Sequence, residues 1–157
     1  MKLTRFEDLE CWQEARKLVN MVYDAIAASP EFHKDMRLRD QCKGASISVM
    51  GAIPEGFARR SNKEFIQYLF ISVSSAAELQ SHFFVALDQK YVTQETFDRI
   101  YQQAEKVGRM DSNLITYLRE SDRHYNETKS TRKTKSTKQT NYKSTKQTNY
   151  KSTKQTN

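Results

Sequence analysis

Nine basic side chains with no acid among them close this chain: Lys129, Arg132, Lys133, Lys135, Lys138, Lys143, Lys146, Lys151 and Lys154. Cations strung along one segment suit a polyanion, because each phosphate neutralised frees condensed counterions and the affinity falls as salt rises. Tyr142 and Tyr150 recur between the lysines and offer rings for bases to stack on, worth roughly 1–3 kcal/mol each where ordered. A tighter group, Arg59, Arg60 and Lys63, flanks the start of an expected helix, where free amides and the helix dipole add to the pull on phosphate. Each group also has a plainer reading. The cluster reads as a solvated turn ion-paired to Glu55 and Glu64, and from sequence that reading is the stronger. The octads read as a tandem gene duplication tolerated at a chain end, and for the tail both readings stand.

No other residues converge on chemistry. His33, His82 and His124 are far apart and lie near no carboxylate pair at ligand spacing, so no metal site is expected. A phosphate-cradling glycine loop, a nucleophile elbow and a helical His-Glu-x-x-His are all missing from the sequence. Glu55 is an acid or base without a partner, and pairing with Arg59 or Arg60 explains it as well. The expectation is a non-enzymatic protein with no catalytic residue, no metal and no cofactor. Cys11 and Cys42 form no Cys-x-x-Cys pair and read as buried thiols rather than a disulfide.

The charge is segregated. Lys and Arg number 26 against 19 acids, a formal +7, yet residues 1–128 hold 17 basic and 19 acidic groups, a net of −2. The basic character therefore belongs to the tail and not to the surface of the folded part. The N-terminus turns acidic by Glu7 and Asp8 without an apolar stretch, and no run nears the ~18 apolar residues that cross a bilayer. A soluble, cytoplasmic protein with no membrane partner is expected.

The elements that must carry these groups are helices. Two Pro and four Gly are too few for a many-turned sheet protein, and the apolar residues recur at helical spacing. A first helix is expected from about Thr4 to Ala28, with Thr4 and Glu7 as a capping box and Phe6, Leu9, Trp12, Ala15, Val19, Val22 and Ile26 inward. Ser29-Pro30 should stop it. A second helix should span about Asp35 to Ile53, with Leu38, Cys42, Ala45, Val49 and Ala52 inward and a kink or end at Pro54. Its small residues, Gly44 and Gly51 among them, permit close approach of a neighbour, and Gly56 reads as an exit. The third starts at the box Ser61-Asn62-Lys63-Glu64 and reaches about Asp88. Phe65, Leu69, Ala76, Leu79 and Phe83 form its inner line, and Ile66, Phe70, Val73, Ala77 and Phe84 a second lobe. Together they make an apolar arc roughly 200° wide, against the ~100° a surface helix needs. Left exposed, Ile66, Phe70, Val73 and Phe84 would mark an oligomer interface. A fourth helix opens at Thr93, carries Phe97, Ile100, Ala104, Val107, Leu114 and Leu118 inward, and should fray between Ser121 and Glu127. Beyond it, Lys135 to Tyr142 recurs as Lys143 to Tyr150 and again from Lys151. A repeat of eight with no aliphatic side chain buries no core, so disorder is expected.

Two strings carry a resemblance. They are Phe6-Glu7-Asp8-Leu9-Glu10-Cys11-Trp12-Gln13-Glu14-Ala15-Arg16 and Glu55-Gly56-Phe57-Ala58-Arg59-Arg60-Ser61-Asn62-Lys63-Glu64-Phe65. With Ser75-Ala76-Ala77-Glu78-Leu79-Gln80 and Asn113-Leu114-Ile115-Thr116-Tyr117-Leu118, they resemble the small bacterial proteins of intervening sequences in 23S ribosomal RNA genes. The resemblance covers about residues 3–120 and leaves out the tail. It implies an up-and-down four-helix bundle that assembles as a ring-like homopentamer, with RNA association suggested by gene context. Related bundles serve reverse transcriptases as accessory factors, which here is fold-level analogy only. Relatives carry a proline at the position of Met50 and an asparagine at that of Ala52; this chain's proline comes one turn later, at Pro54.

The sequence thus predicts an all-α, up-and-down antiparallel four-helix bundle over residues 1–127 and a disordered Lys-rich octad-repeat tail over 128–157. The expected partners are a second copy of the chain, as a homopentamer, and RNA or DNA bound at low specificity. The basic groups named above would do the binding. The alternative is a protein-interaction scaffold, such as an accessory subunit of a nucleic-acid enzyme like a reverse transcriptase, with a passive tail.

Overall fold

Apolar residues at helical spacing build the helices of the core. The computed structural model describes residues 4–59 and 61–152, the side chains at 126 and beyond 129 excepted. Within them lie a 3-10 turn, Phe6–Asp8, and five α-helices: α1 (Glu10–Ala28), α2 (Pro30–Lys34), α3 (Met36–Phe57), α4 (Asn62–Asp88) and α5 (Gln94–Ser152). The described residues contain no strand, so the all-α class holds. The chain divides into two units, Met1–Leu118 and Arg119–Asn157.

The first helix starts later than its sequence suggests. Glu7 pairs with Arg5 at 3.0 Å instead of returning to Thr4, and Phe6 packs edge-on against Trp12 at 5.1 Å. Leu9, buried and extended, becomes the N-cap of α1 without a side-chain cap. The inner face is also turned relative to expectation. Cys11, Leu18 and Ala25 join Ala15, Val22 and Ile26 in the core, while Trp12 and Val19 are half-buried.

Ser29-Pro30 stops α1 but also starts α2, a turn of helix not anticipated. Proline at the first helical position is pre-set for a helix, and the Ser29 hydroxyl accepts from the Phe32 amide at 3.3 Å. The gain is Phe32, wholly buried, stacked on Tyr91 at 5.6 Å and edge-on to Phe83 at 6.1 Å. Asp35 then caps α3 by accepting from the Leu38 amide at 3.0 Å.

α3 does not end at Ile53. It runs through Pro54 to Phe57, because the proline falls in the last turn and removes a single backbone bond. Gly56 is therefore no exit. It is buried where α4 crosses, and a Cβ there would stand 2.6 Å from Tyr68 Cβ and 2.7 Å from Phe65 Cδ2. Gly44 and Gly51 have open space above them, so they are not where a neighbouring helix approaches. The expected inner lines of α3 and α4 are buried in full.

Ser61 accepts from the Glu64 amide at 3.3 Å, as a capping box requires, but the Glu64 carboxylate takes the Ser61 hydroxyl at 2.6 Å rather than its amide. α4 ends at Asp88, and the chain turns away at Lys90, a non-glycine residue with φ of 60°. Its amide bonds to Leu87, and that of Tyr91 to Ala86, the paired bonds of a Schellman ending. Left-handed backbone costs an L side chain about 1 kcal/mol or more. Lys90→Gly is therefore expected to raise the unfolding free energy by about 0.5–1 kcal/mol, read by urea denaturation; an unchanged midpoint would contradict it.

α5 opens with the Thr93 hydroxyl accepting from the Thr96 amide at 3.2 Å. Phe97, Ile100, Ala104, Val107, Ile115 and Leu118 are buried, with Leu114 half-buried. The α5 backbone is described as helix to Ser152. After Gly108 no Gly or Pro follows to break it.

Candidate functional site

Three places in the chain hold polar or exposed apolar groups that packing alone does not explain. The first is the turn from α3 to α4. Glu55 and Arg59 lie one turn apart on α3 and pair at 3.2 Å. Tyr68, nearly two turns into α4, donates to Glu55 Oε1 at 2.9 Å and takes the Arg59 guanidinium at 2.5 Å and over its ring face. Arg59 is thus engaged, which is the plainer of the two readings of the cluster. Lys63 is exposed, and Arg60 lies outside the described residues. Tyr68 had no signal of its own in the sequence, because its partner arrives from another helix.

The second place is the outer lobe of α4. Ile66 is half-buried against the core, and Val73 lines a groove toward α5. Phe70 is 48% exposed and Phe84 49%, although Phe84 meets Phe97 at 4.9 Å and Tyr101 at 5.8 Å. Part of that face is therefore spent within the chain. Ile47 on α3 and Ile71 and Val85 on α4 are exposed as well, and Ile47 and Ile71 wall a groove floored by Gly51 and Ala52.

The third place is internal. Asp111 on α5 is fully buried. Its Oδ2 stands 2.6 Å from the Ser72 hydroxyl of α4, which also lies 3.0 Å from the Val49 carbonyl of α3. The Cys11 thiol, a weak donor, approaches from α1. It does not satisfy Asp111 Oδ1, which has no hydrogen-bond partner among the described residues. Burial pushes the Asp111 carboxyl up to about 6, tempered by Ser72 and Cys11. Sequence reading missed it because the inner line of α5 was counted in apolar residues alone. Its signal was the register: four residues after Val107 and four before Ile115.

A second carboxylate joins α1 to α5 at the surface. Glu14 accepts from Gln103 at 2.8 Å, from Lys106 at 2.8 Å and from Lys17 at 2.6 Å. The Gln103 bond, then the lysines, hold its carboxyl down at about 2.

The remaining expected groups do not converge. His33 and His124 are exposed, and His82 pairs with Glu78 on its own helix at 3.4 Å. Cys11 and Cys42 are free and buried, and burial pushes both thiols up to about 12, far from reactive thiolates. No cluster of metal ligands and no helix able to cross a membrane occurs among the described residues. Lys129 is exposed, its ammonium 5.9 Å over the Tyr125 ring. Arg132, Lys133, Lys135, Lys138, Lys143, Lys146 and Lys151 lie on the helical backbone of α5, and Lys154 lies outside the described residues.

The family model for 23S rRNA-intervening sequence protein matches residues 7–113. No curated protein matches the chain. The fold is similar to a crystal structure from Bacteroides thetaiotaomicron VPI-5482, described as a protein with unknown function from the S23 ribosomal protein family. That likeness has a TM-score of 0.61 at 17% identity, over 67% of this chain and 97% of the other. Neither description names a catalytic activity.

Proposed function

Because this chain belongs to the 23S rRNA-intervening sequence protein family, we propose that it is a non-catalytic, self-assembling helical bundle that binds RNA or DNA at low specificity. In this reading α1, α3, α4 and α5 form an up-and-down antiparallel four-helix bundle. Copies meet through the outer lobe of α4, Ile66, Phe70, Val73 and Phe84, in a ring of five. The exposed rings of Phe70 and Phe84 support that interface. Nucleic acid is held by Lys63 and by the basic residues from Lys129 to Lys154.

The observation that carries the reading is the separation of charge. Residues 1–128 are net negative, and all nine cations of 129–157 stand without an acid among them. Filter binding of single-stranded RNA to the full chain and to a chain ending at Thr128, across a salt series, tests it. Full engagement of the terminal cations gives the full chain a log–log salt slope near −6, and truncation weakens binding at least about tenfold at low salt. Equal affinity of the two chains would remove the terminal segment from the mechanism. Light scattering tests assembly, and a monomer at micromolar concentration would sink the interface.

The engagement of Arg59 by Glu55 and Tyr68 favours a second reading on one point, since a guanidinium already held has less to offer a phosphate. That reading is a scaffold or accessory subunit of a nucleic-acid enzyme, and absence of RNA binding by both the full and the shortened chain would select it.

A further inference from the structure

We propose that Asp111 is a proton-operated latch on α5: protonated, it bonds Ser72 and seats the helix against α1, α3 and α4; ionised, it loosens that seat.

The bonding pattern is completed by a proton on Asp111. Ser72 stands within bonding distance of two oxygens, Val49 O and Asp111 Oδ2, but a hydroxyl donates only one hydrogen. A carbonyl cannot donate. Both short contacts become full two-centre hydrogen bonds when Asp111 supplies a proton of its own, donating to Ser72 while Ser72 donates to Val49; with an anion they must share the one hydroxyl hydrogen. Oδ1 is then a carbonyl oxygen, whose missing partner costs far less than that of an anion.

The surroundings offer an anion no cation and only two donors, the Ser72 hydroxyl and the weak Cys11 thiol. From α1 comes the Cys11 thiol, held uncharged by burial. α3 contributes the Val49 carbonyl, and α4 the Ser72 hydroxyl, with Ser75 also buried on that helix. On α5 itself the nearby cations are committed at the surface, Lys106 to Glu14 at 2.8 Å and Arg109 to Glu105 at 3.7 Å. A buried charge with no cation and so few donors is relieved by neutralising or by reaching water. Water has a route: a groove of about 310 Å³ between Leu9, Glu10, Cys11, Met110, Asn113 and Leu114 opens beside the thiol. The proton leaves to solvent, and α5, which supplies the carboxyl, must shift for the anion to follow.

The test uses the full chain at pH 5 and pH 8. A carboxyl-detected NMR titration should show Asp111 losing its proton in a step of its own, well above the exposed aspartates. Amide exchange across residues 104–118, corrected for intrinsic rate, should be up to about tenfold faster at pH 8 than at pH 5. Asp111→Asn, a neutral side chain that can still donate to Ser72, should abolish the difference. The same pH ratio in wild type and D111N would overturn the latch. If D111N does not fold, the wild-type titration decides alone, and Asp111 ionising together with the exposed aspartates overturns it.

Discussion

At pH 7, Asp111→Asn is expected to raise the unfolding free energy by about 1–3 kcal/mol, an unusual direction for a change in a core. The sign follows from linkage. Unfolded, the carboxyl ionises near its ordinary 3.8; folded, near 6. Between those values the folded chain holds a proton that the unfolded chain has released, so stability falls as pH rises through that window and is level above it. The width of that window sets an upper bound of about 3 kcal/mol, and relaxation of the core lowers it. Glu14 works oppositely. Its folded carboxyl lies near 2 against an ordinary 4.5, so its contribution is lost as pH falls from 4.5 toward 2. Its clasp lies at the surface and is worth about 1 kcal/mol after screening. The protein should therefore be most stable between about pH 4 and 5, more acidic than the usual range. Urea denaturation of wild type and D111N from pH 3 to 8 checks this. Wild-type stability that rises from pH 4.5 to 7, or a D111N curve parallel to it, would be the contrary result.

Gly56→Ala should cost about 1–3 kcal/mol and Gly56→Val more, because α4 leaves no room for a side chain. The obstacles at 2.6 and 2.7 Å are Tyr68 Cβ, fixed to its backbone, and the Phe65 ring, so neither yields without moving the helix. Gly51→Ala makes the control. Gly51 faces open space, so alanine there should be neutral or stabilising by up to about 1 kcal/mol in the single chain. Chemical denaturation separates the two, and equal effects would mean that the α3–α4 crossing is looser than these distances. The same substitution at Gly56 should also disturb the contact of Tyr68 with Arg59 and Glu55, which begins one side-chain bond away.

How much of this was readable beforehand depends on whether a residue's partner is local. The inner lines of α3 and α4, the Ser61 box and the Glu55–Arg59 pair are set by neighbours three or four residues away, and the sequence displays such neighbours directly. The motifs from Phe6 to Leu118 likewise agree with a family match over residues 7–113. Ser29-Pro30 was half legible, since the same dipeptide ends one helix and begins the next. Tyr68, Gly56 and Asp111 were hidden because their partners come from other helices. In Asp111's case the helical register pointed inward, and only the expectation that inward means apolar concealed it.

Cys11 gives this interior an unplanned use. Its sulfur is shielded and unreactive while α1 and α5 are together, so a maleimide or dithiobis reagent can reach it only through an excursion of the native state. The rate of that modification, divided at each pH by the rate for a free cysteine thiol, is a stopwatch for how often the helices part.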